Sequence, residues 1–212
     1  MKVEIWSDVV CPWCYIGKRR FEAALRDFPH PVEVVWKSFQ LDPTATPRQP
    51  GSEAPRLAEK YGRSVAEAQQ MIDHVTAAAA AEGLTYRLDL ACSGSSFDAH
   101  RLLHLAKAEG LQDELKERLD RAHFTEGQPI HDHDTLVRLA GEAGLDEVKA
   151  KDVLAGDRYA VDVRADIEEA RALGINAVPF FVIDRRYGVS GAQPAQILTA
   201  ALEQAWSEAH HA

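Results

Sequence analysis

The most chemically informative residues of this sequence are two cysteines, Cys11 and Cys14, separated by Pro12 and Trp13. A Cys-X-X-Cys pair between a strand and a helix is typical of a thiol redox site. Pro12 suits the first position of a helix, because the N–H that proline lacks would have no partner there. Cys11 is then the N-cap residue, and we expect its sulfur to accept hydrogen bonds from the amides of Trp13 and Cys14.

The helix start predicts different roles for the two sulfurs. The positive end of the helix dipole favours the thiolate of Cys11 by up to about 2 kcal/mol. Cys14 lies one turn further into the helix, so we expect it to be shielded and to act as the resolving thiol. Cys11 attacks a substrate sulfur, or is attacked by a substrate thiolate, and Cys14 releases the mixed disulfide. Trp13 either offers an apolar contact to the substrate or only covers the helix end.

A structural zinc site is the main alternative for the cysteine pair. Such a site needs four ligands, and the sequence holds only one further cysteine, Cys92. His131 and His133 alternate with aspartates in a segment that indicates a helix start capped by Asp132 or by the aspartate two residues later. We therefore predict no metal and no cofactor, and we interpret Cys92 as a small buried residue.

The segments around the motif predict a β-α-β unit. Residues 2–6 alternate apolar and polar side chains, residues 12–28 place apolar side chains three or four apart, and residues 32–41 are rich in β-branched and aromatic side chains. Residues 42–55 contain four prolines and predict an irregular linker. Helical spacing then recurs in residues 57–81, 97–108, 111–124, 135–143, 146–154 and 157–173. Residues 179–183 and 187–189 predict a hairpin, and Gln193-Pro194 opens a last helix.

This order predicts an α/β fold with a large all-helical insertion. The α/β domain comprises residues 1–41 and 157–212, and residues 42–156 form the linker and the insertion. Val178-Pro179 precedes the late hairpin. A cis bond there would expose the Val178 backbone beside the cysteines, and the alternative is a trans proline that begins an edge strand.

The composition limits which binding partners and which cellular compartment we expect. The 212 residues are 46% hydrophobic, which is enough for a buried core. A formal charge of −9 repels phosphate backbones, so we expect no nucleic acid partner. The sequence contains no export-signal pattern and no run of 18 uncharged apolar residues, which predicts that the protein is neither exported nor inserted in a membrane. Three cysteines exclude a disulfide-stapled secreted scaffold and favour the cytoplasm.

Three segments together resemble the DsbA-like branch of the thioredoxin superfamily, most closely its FrnE-like members. They are WSDVVCPWCYIGKRRFE at residues 6–22, FDAHRLLHLAK at residues 97–107, and the stretch from GINAVPFFVID to GVSGAQP at residues 174–194. The resemblance implies a thioredoxin-like fold, with Cys11 as nucleophile and Cys14 as resolving thiol. It also implies that Val178-Pro179 is the cis-proline loop that docks the substrate backbone.

The resemblance leaves some roles and activities open. It implies that His100 lines a cleft between insertion and core, although a helix histidine beside leucines is more often a packed residue. Relatives usually carry an asparagine before a threonine or serine in the segment that leads to FDAHR. This sequence has Ser95 and Ser96 there, so the resemblance implies no asparagine contact in the cleft.

Two other functions compete with dithiol exchange. The related kappa-class glutathione transferases and 2-hydroxychromene-2-carboxylate isomerases use glutathione and typically carry serine where Cys11 stands. The second thiol favours dithiol exchange on a protein or small-molecule substrate over their chemistry, although glutathione remains a possible partner. The third hypothesis is a non-catalytic interaction protein whose cysteines sense oxidation.

Overall fold

The structure, a computed structural model, describes residues 1–51 and 53–210. Residue 52 of the predicted linker and residues 211–212 of the predicted α/β domain lie outside the described residues. The chain divides into two compact units. The sheet unit comprises Met1–Leu41 and the chain from Arg164 onward, and the helical unit comprises Asp42–Val163. The chain passes from the helical unit to the sheet unit between Val163 and Arg164, within the helix Ala160–Ala172. The predicted domain boundary between residues 156 and 157 stays a prediction.

The elements follow the order predicted from the sequence, with one additional helix. They are β1 (Lys2–Ser7), α1 (Pro12–Asp27), β2 (Glu33–Ser38), α2 (Glu53–Tyr61), α3 (Val65–Ala81), α4 (Phe97–Ala108), α5 (Gln112–Phe124), α6 (His133–Glu142), α7 (Glu147–Ala155), α8 (Ala160–Ala172), β3 (Phe180–Ile183), β4 (Tyr187–Ser190) and α9 (Ala195–His210). The four strands form one sheet in the order β2-β1-β3-β4. β1 is parallel to β2 and antiparallel to β3, and β3 is antiparallel to β4.

One face of the sheet carries an apolar core between the sheet and the helices α1 and α9. Val3 and Ile5 point to this face from β1, and Phe181 pairs with Ile5 across β3. The buried members are Val3, Ile5, Phe21, Ala24, Phe28, Trp36, Phe181, Ile183, Leu198, Leu202 and Ala205. We call this side the apolar face.

The opposite face leads to the cysteines. Successive side chains of a strand alternate sides, so Glu4 and Trp6 point away from the apolar face. Trp6 belongs to a second buried cluster, whose members are Trp6, Cys11, Cys14, Ala170, Ile175, Val178 and Val182. We call this side the cysteine-side face. The buried cluster of the apolar face is thus purely apolar, whereas the cluster around Trp6 includes the two thiols at the start of α1.

The helical unit corrects two sequence-based predictions. The helix predicted over residues 57–81 is two helices, because Gly62 adopts a positive φ of 63° and Ser64 starts α3 with a capping box that includes Glu67. The linker predicted to reach residue 55 ends earlier, since α2 begins at Glu53. Pro55 lies in the first turn of α2, where proline removes no intrahelical hydrogen bond. Across residues 1–51 and 53–210, no helix has both the length and the apolar character needed to cross a membrane.

Candidate active site

The cysteine motif lies where the chain leaves β1 and enters α1. Cys11 has the extended backbone of an N-cap residue and Pro12 opens the helix, as predicted. The Cys11 N–H donates to the Asp8 carbonyl oxygen at 3.1 Å, and the Cys14 N–H donates to the Cys11 carbonyl oxygen at 3.0 Å. The predicted capping by the sulfur is not seen as a hydrogen bond of the Cys11 side chain, although the nearby Cys14 amide still favours the thiolate. The Cys14 N–H, which was expected to donate to the Cys11 sulfur, donates to the Cys11 carbonyl oxygen instead.

The two thiols are both buried, but to different degrees. Cys11 retains 4% of its surface and Cys14 retains none, and both are free thiols. The partly buried ring of Trp13 packs against the same cluster. The Cys11 thiol donates to the Val178 carbonyl oxygen across 3.6 Å. Cys11 is thus the outer sulfur of the pair and lies beside the backbone of the loop before β3.

The pKa of the Cys11 thiol is raised well above its usual value of 9.0, so the prediction of a favoured thiolate is wrong for this reduced pair. The hydrogen bond to the Cys14 thiol is the largest cause, followed by burial and by the charge that Cys14 would carry. The Asp8 carboxylate adds a smaller effect of the same sign, and the Cys14 amide acts in the opposite direction. The Cys14 thiol and burial thus outweigh the Cys14 amide, which favours the thiolate.

The loop before β3 brings Val178 and Pro179 to the cysteines. The bond between them is cis, so the trans alternative is wrong. β3 begins at Phe180 and lies between β1 and β4, which also rules out an edge strand. The Pro179 carbonyl oxygen accepts from the Gly191 N–H at 2.8 Å, and this bond ties the loop to the end of β4. The sequence-predicted residues Cys11, Cys14, Pro12, Trp13, Val178 and Pro179 all lie in the sheet unit.

Asp8 is a site residue that the sequence reasoning missed. It is completely buried, and its carboxylate accepts from the Leu41 N–H at 2.8 Å and the Val10 N–H at 3.5 Å. Its carbonyl oxygen holds Cys11, as described above. Asp8 therefore joins the cysteine turn to the segment that follows β2. An acidic residue inside the apolar run that precedes the motif was the available signal.

His100 lies in the helical unit, on α4, with 1% of its surface exposed. Its neighbour Arg101 is also buried and donates to the carbonyl oxygens of Gly156 at 2.6 Å and Arg158 at 2.9 Å. The packed-residue reading of His100 agrees with this burial. Its role in a substrate cleft stays a prediction.

The remaining candidates for chemistry have structural explanations. Asp132 caps α6 by accepting from the Thr135 N–H at 2.9 Å, as predicted, and His133 pairs with Asp98 at 2.7 Å. Within the described parts of the chain, no group of three or more His, Cys, Asp or Glu side chains is arranged to hold a metal ion. Cys92 is only partly buried, so the prediction of a buried core residue is wrong. It lies in the irregular segment between α3 and α4, where fewer side chains cover it.

Comparison with known proteins places this geometry in a family. The chain is 51% identical to a probable DsbA oxidoreductase from Streptomyces coelicolor, with a TM-score of 0.92 over 98% of this chain and 91% of that one. It is 31% identical to the uncharacterized protein YwbO of Bacillus subtilis (strain 168), over 85% of this chain and 86% of that protein. The cytosolic disulfide reductase DsbM from Pseudomonas aeruginosa, in a structure with GSH, shares the fold at 21% identity, with a TM-score of 0.69 over 96% of this chain and 98% of that one.

The family itself follows from a match over nearly the whole chain. Residues 2–203 match the family described as DSBA-like thioredoxin domain. The match confirms the predicted α/β, thioredoxin-like fold with a helical insertion. With its two thiols at the start of α1 and the cis-proline loop beside them, the chain belongs to the DSBA-like thioredoxin domain family.

Proposed function

We propose that this chain catalyses thiol–disulfide exchange, with Cys11 as the attacking sulfur and Cys14 as the resolving sulfur. One observation carries the proposal: two free thiols meet at the start of α1, and only Cys11 has any exposed surface. A substrate sulfur needs to reach only one thiol of the pair, and the more accessible thiol is the natural point of attack. The order of exposure therefore supports the assignment of roles.

The proposed reduction of a disulfide proceeds in two exchange steps. The Cys11 thiolate attacks one substrate sulfur, the substrate S–S bond breaks, and the departing substrate thiolate takes up a proton. The Cys14 thiolate then attacks the Cys11 sulfur, forms the internal disulfide and releases the second substrate thiol. The substrate gains two electrons and the cysteine pair loses two. The same steps in reverse oxidise a substrate dithiol.

Four neighbours of the cysteines are the proposed substrate contacts. The backbone of Val178 and Pro179 lies beside Cys11, since the Val178 carbonyl oxygen is 3.6 Å from its sulfur. Pro12 and Trp13 flank the sulfurs along the chain and keep part of their surface exposed. An extended substrate segment that pairs with the Val178 backbone would bring its own sulfur to Cys11. His100 stays a further candidate contact.

The first experiment measures reduction of insulin disulfides and oxidation of a dithiol peptide. We expect Cys11→Ser to abolish both activities and Cys14→Ala to accumulate the mixed disulfide, because the release step needs the second thiol. Cys92→Ser is the matched control, since that cysteine lies in the helical unit, and it should keep the wild-type rate. Wild-type turnover by Cys11→Ser would refute the proposal.

Glutathione chemistry is the second candidate function, and the GSH-containing structure of DsbM with the same fold favours testing it. A glutathione-dependent isomerase or transferase only has to activate a bound thiolate, so it has no need of Cys14. Chromene-type isomerisation that depends on glutathione and survives in Cys14→Ala would favour this function over dithiol exchange.

The physiological substrate on this proposal is a protein or small molecule that carries a thiol or a disulfide. The family and the GSH bound to the DsbM relative are consistent with either class. The cytoplasm stays the predicted compartment, and the description of DsbM as cytosolic is consistent with it. A redox titration against glutathione would give the direction of electron flow.

A further inference from the structure

A glycine inside the first helix has no conformational reason to be there. Gly17 is buried in α1, one turn after Cys14, and its backbone is ordinary helix. Glycine in a helix interior destabilises the helix by about 1 kcal/mol relative to alanine. Turns and caps, which commonly require glycine, are not involved at this position. The contacts around Gly17 must therefore explain the residue.

Gly17 lies directly against the loop that carries Val178 and Pro179. A Cβ atom at this position would be 2.8 Å from Cγ of Pro179, 3.4 Å from its Cβ and 3.6 Å from Cβ of Ala192. Non-bonded carbon atoms prefer separations of about 3.5–4.0 Å. Even a methyl group would thus crowd the proline ring, whose Cγ can move only by a change of ring pucker because the ring is closed on the backbone nitrogen.

Both partners of this contact are held in place. The Pro179 carbonyl oxygen is bonded to the Gly191 N–H at 2.8 Å, and the next residue, Phe180, pairs with Trp6 in the sheet. On the helix side, Arg20 donates to the Ala192 carbonyl oxygen at 2.5 Å. A side chain at position 17 would therefore have to displace the loop from the helix at the cysteine site.

We propose that Gly17 is a positioning residue of the active site: its missing side chain lets the Val178–Pro179 loop lie against α1 and so sets the distance between the Val178 carbonyl oxygen and the Cys11 sulfur. The inference rests on the proposed function only where it concerns turnover. The spacing itself acts on the Cys11 thiol whether or not a substrate is present.

Displacement of the loop has two opposite consequences. The Val178 carbonyl oxygen accepts from the Cys11 thiol and helps to bury it, so we expect its retreat to expose the sulfur and to lower the pKa of Cys11 by reducing its burial. A small alkylating reagent should then react faster. A substrate that docks on the loop backbone would be displaced from the sulfur, and a shift of about 1 Å can reduce a rate by up to about a hundredfold. General destabilisation would expose Cys14 as well as Cys11, so faster alkylation confined to Cys11, together with slower exchange, distinguishes displacement of the loop.

The experiment compares Gly17→Ala with Gly141→Ala in the reduced, full-length protein. Gly141 lies in the last turn of α6, in the helical unit, where the atoms nearest to the new methyl belong to the flexible side chain of Glu147. We expect Gly17→Ala to lower kcat/KM for a peptide disulfide about tenfold or more. The same variant should shift the pH midpoint of Cys11 alkylation by iodoacetamide to lower pH. Gly141→Ala should change neither quantity.

The variant Gly17→Ala/Pro179→Ala tests the stated cause, because it removes the ring atom that the methyl meets. Gly17→Ala should shift the pH midpoint of Cys11 alkylation less in the Pro179→Ala protein than in the wild-type protein. An unchanged alkylation midpoint in Gly17→Ala, equal effects in both backgrounds, or failure of both variants to fold would overturn the proposal. If the wild type exchanges no disulfide, the proposed function fails, and the alkylation measurements still decide the role of Gly17.

Discussion

The two faces of the sheet bury different kinds of side chain, although they share the strands β1 and β3. The buried cluster of the apolar face consists of aliphatic, alanine and aromatic side chains from the sheet, α1 and α9. The cysteine-side face holds the thiols and also the buried carboxylates of Glu4 and Asp166. The apolar face gains stability from removal of apolar surface from water. On the other face, each polar group requires a partner before its burial is tolerated.

The partners on the cysteine-side face come mainly from α8 and the strand ends. Lys37 reaches Asp166 at 2.5 Å and Glu169 at 3.0 Å, and Arg185 reaches Glu4 at 2.7 Å. Asp166 also accepts from the Ser38 N–H at 2.9 Å, and its carbonyl oxygen accepts from the Trp6 indole N–H at 2.9 Å. Loss of one partner leaves a buried charge behind, whereas loss of one methyl group on the apolar face leaves only a cavity. The faces should therefore respond differently to mutation.

The largest loss of stability is expected on the apolar face, from Leu202→Ala in α9. Leu202 is completely buried, and truncation of such a leucine costs roughly 3–5 kcal/mol through lost burial and the remaining cavity. Ile197→Ala is the control on the same helix, because Ile197 is 51% exposed and should change the unfolding free energy by no more than about 0.5 kcal/mol. Chemical denaturation measures both. A change in the Cys11 alkylation rate of folded Leu202→Ala would show that the faces are not independent.

On the cysteine-side face, we expect Lys37→Met to lower the unfolding free energy by about 2–3 kcal/mol, because the buried Asp166 carboxylate loses its cation. Burial alone would lower the pKa of Lys37, but the hydrogen bonds and charges of Asp166 and Glu169 raise it overall. Lys37→Met/Asp166→Asn should be more stable than Lys37→Met alone, since it removes the orphaned charge. Equal stability of the two variants would contradict the prediction, because it would show that the Asp166 charge does not destabilise the fold once Lys37 is removed.

The sequence predicts those features that depend on residues close together in the chain. Pro12 marks the helix start, the cysteine spacing marks the redox motif, and alternation along β1 marks the strand, although the alternation predicts one buried face and both faces of β1 are buried. It does not predict the end of α2, because Gly62 and Ser64 act inside a continuous helical periodicity. The apolar spacing continues across the break, so it conceals these two residues, although they end one helix and begin the next.

The sequence predicts which residues form the site but not the direction in which the pKa of Cys11 shifts. The cysteines and the Val178-Pro179 loop follow from the motif and the family resemblance. The helix dipole is a local property, and it indicates a lowered pKa for Cys11. The two largest effects on that pKa, the hydrogen bond to Cys14 and burial, depend on side-chain packing that spacing alone does not give. The fit of Gly17 against Pro179 likewise joins two residues far apart in the chain.

A smaller effect is expected from Cys14→Ala. The substitution removes the hydrogen bond that is the largest cause of the raised pKa of Cys11, so the pKa falls. Ultraviolet absorbance of the thiolate during a pH titration measures the change, and Cys92→Ala serves as the control. Stability should change little because alanine nearly fills the same space. An unchanged pKa of Cys11 in Cys14→Ala would assign the effect to burial instead.

The smallest predicted effect is a pH dependence of stability that belongs to the reduced cysteine pair. The pKa of Cys11 is raised on folding, from about 9.0 in the unfolded chain, so the unfolded chain releases this proton first as the pH rises. The stabilising contribution is thus fully present below pH 9.0 and is lost between that pH and the higher folded-state pKa. In that window one such group lowers the unfolding free energy by at most about 1.4 kcal/mol per pH unit. Denaturation of the reduced protein between pH 8 and pH 10 should show this slope, and Cys11→Ser and the oxidised protein should lack it, since neither has a Cys11 proton to lose. The same pH dependence in the reduced protein, Cys11→Ser and the oxidised protein would contradict the prediction. Cys11 would then titrate in the folded protein as it does in the unfolded chain.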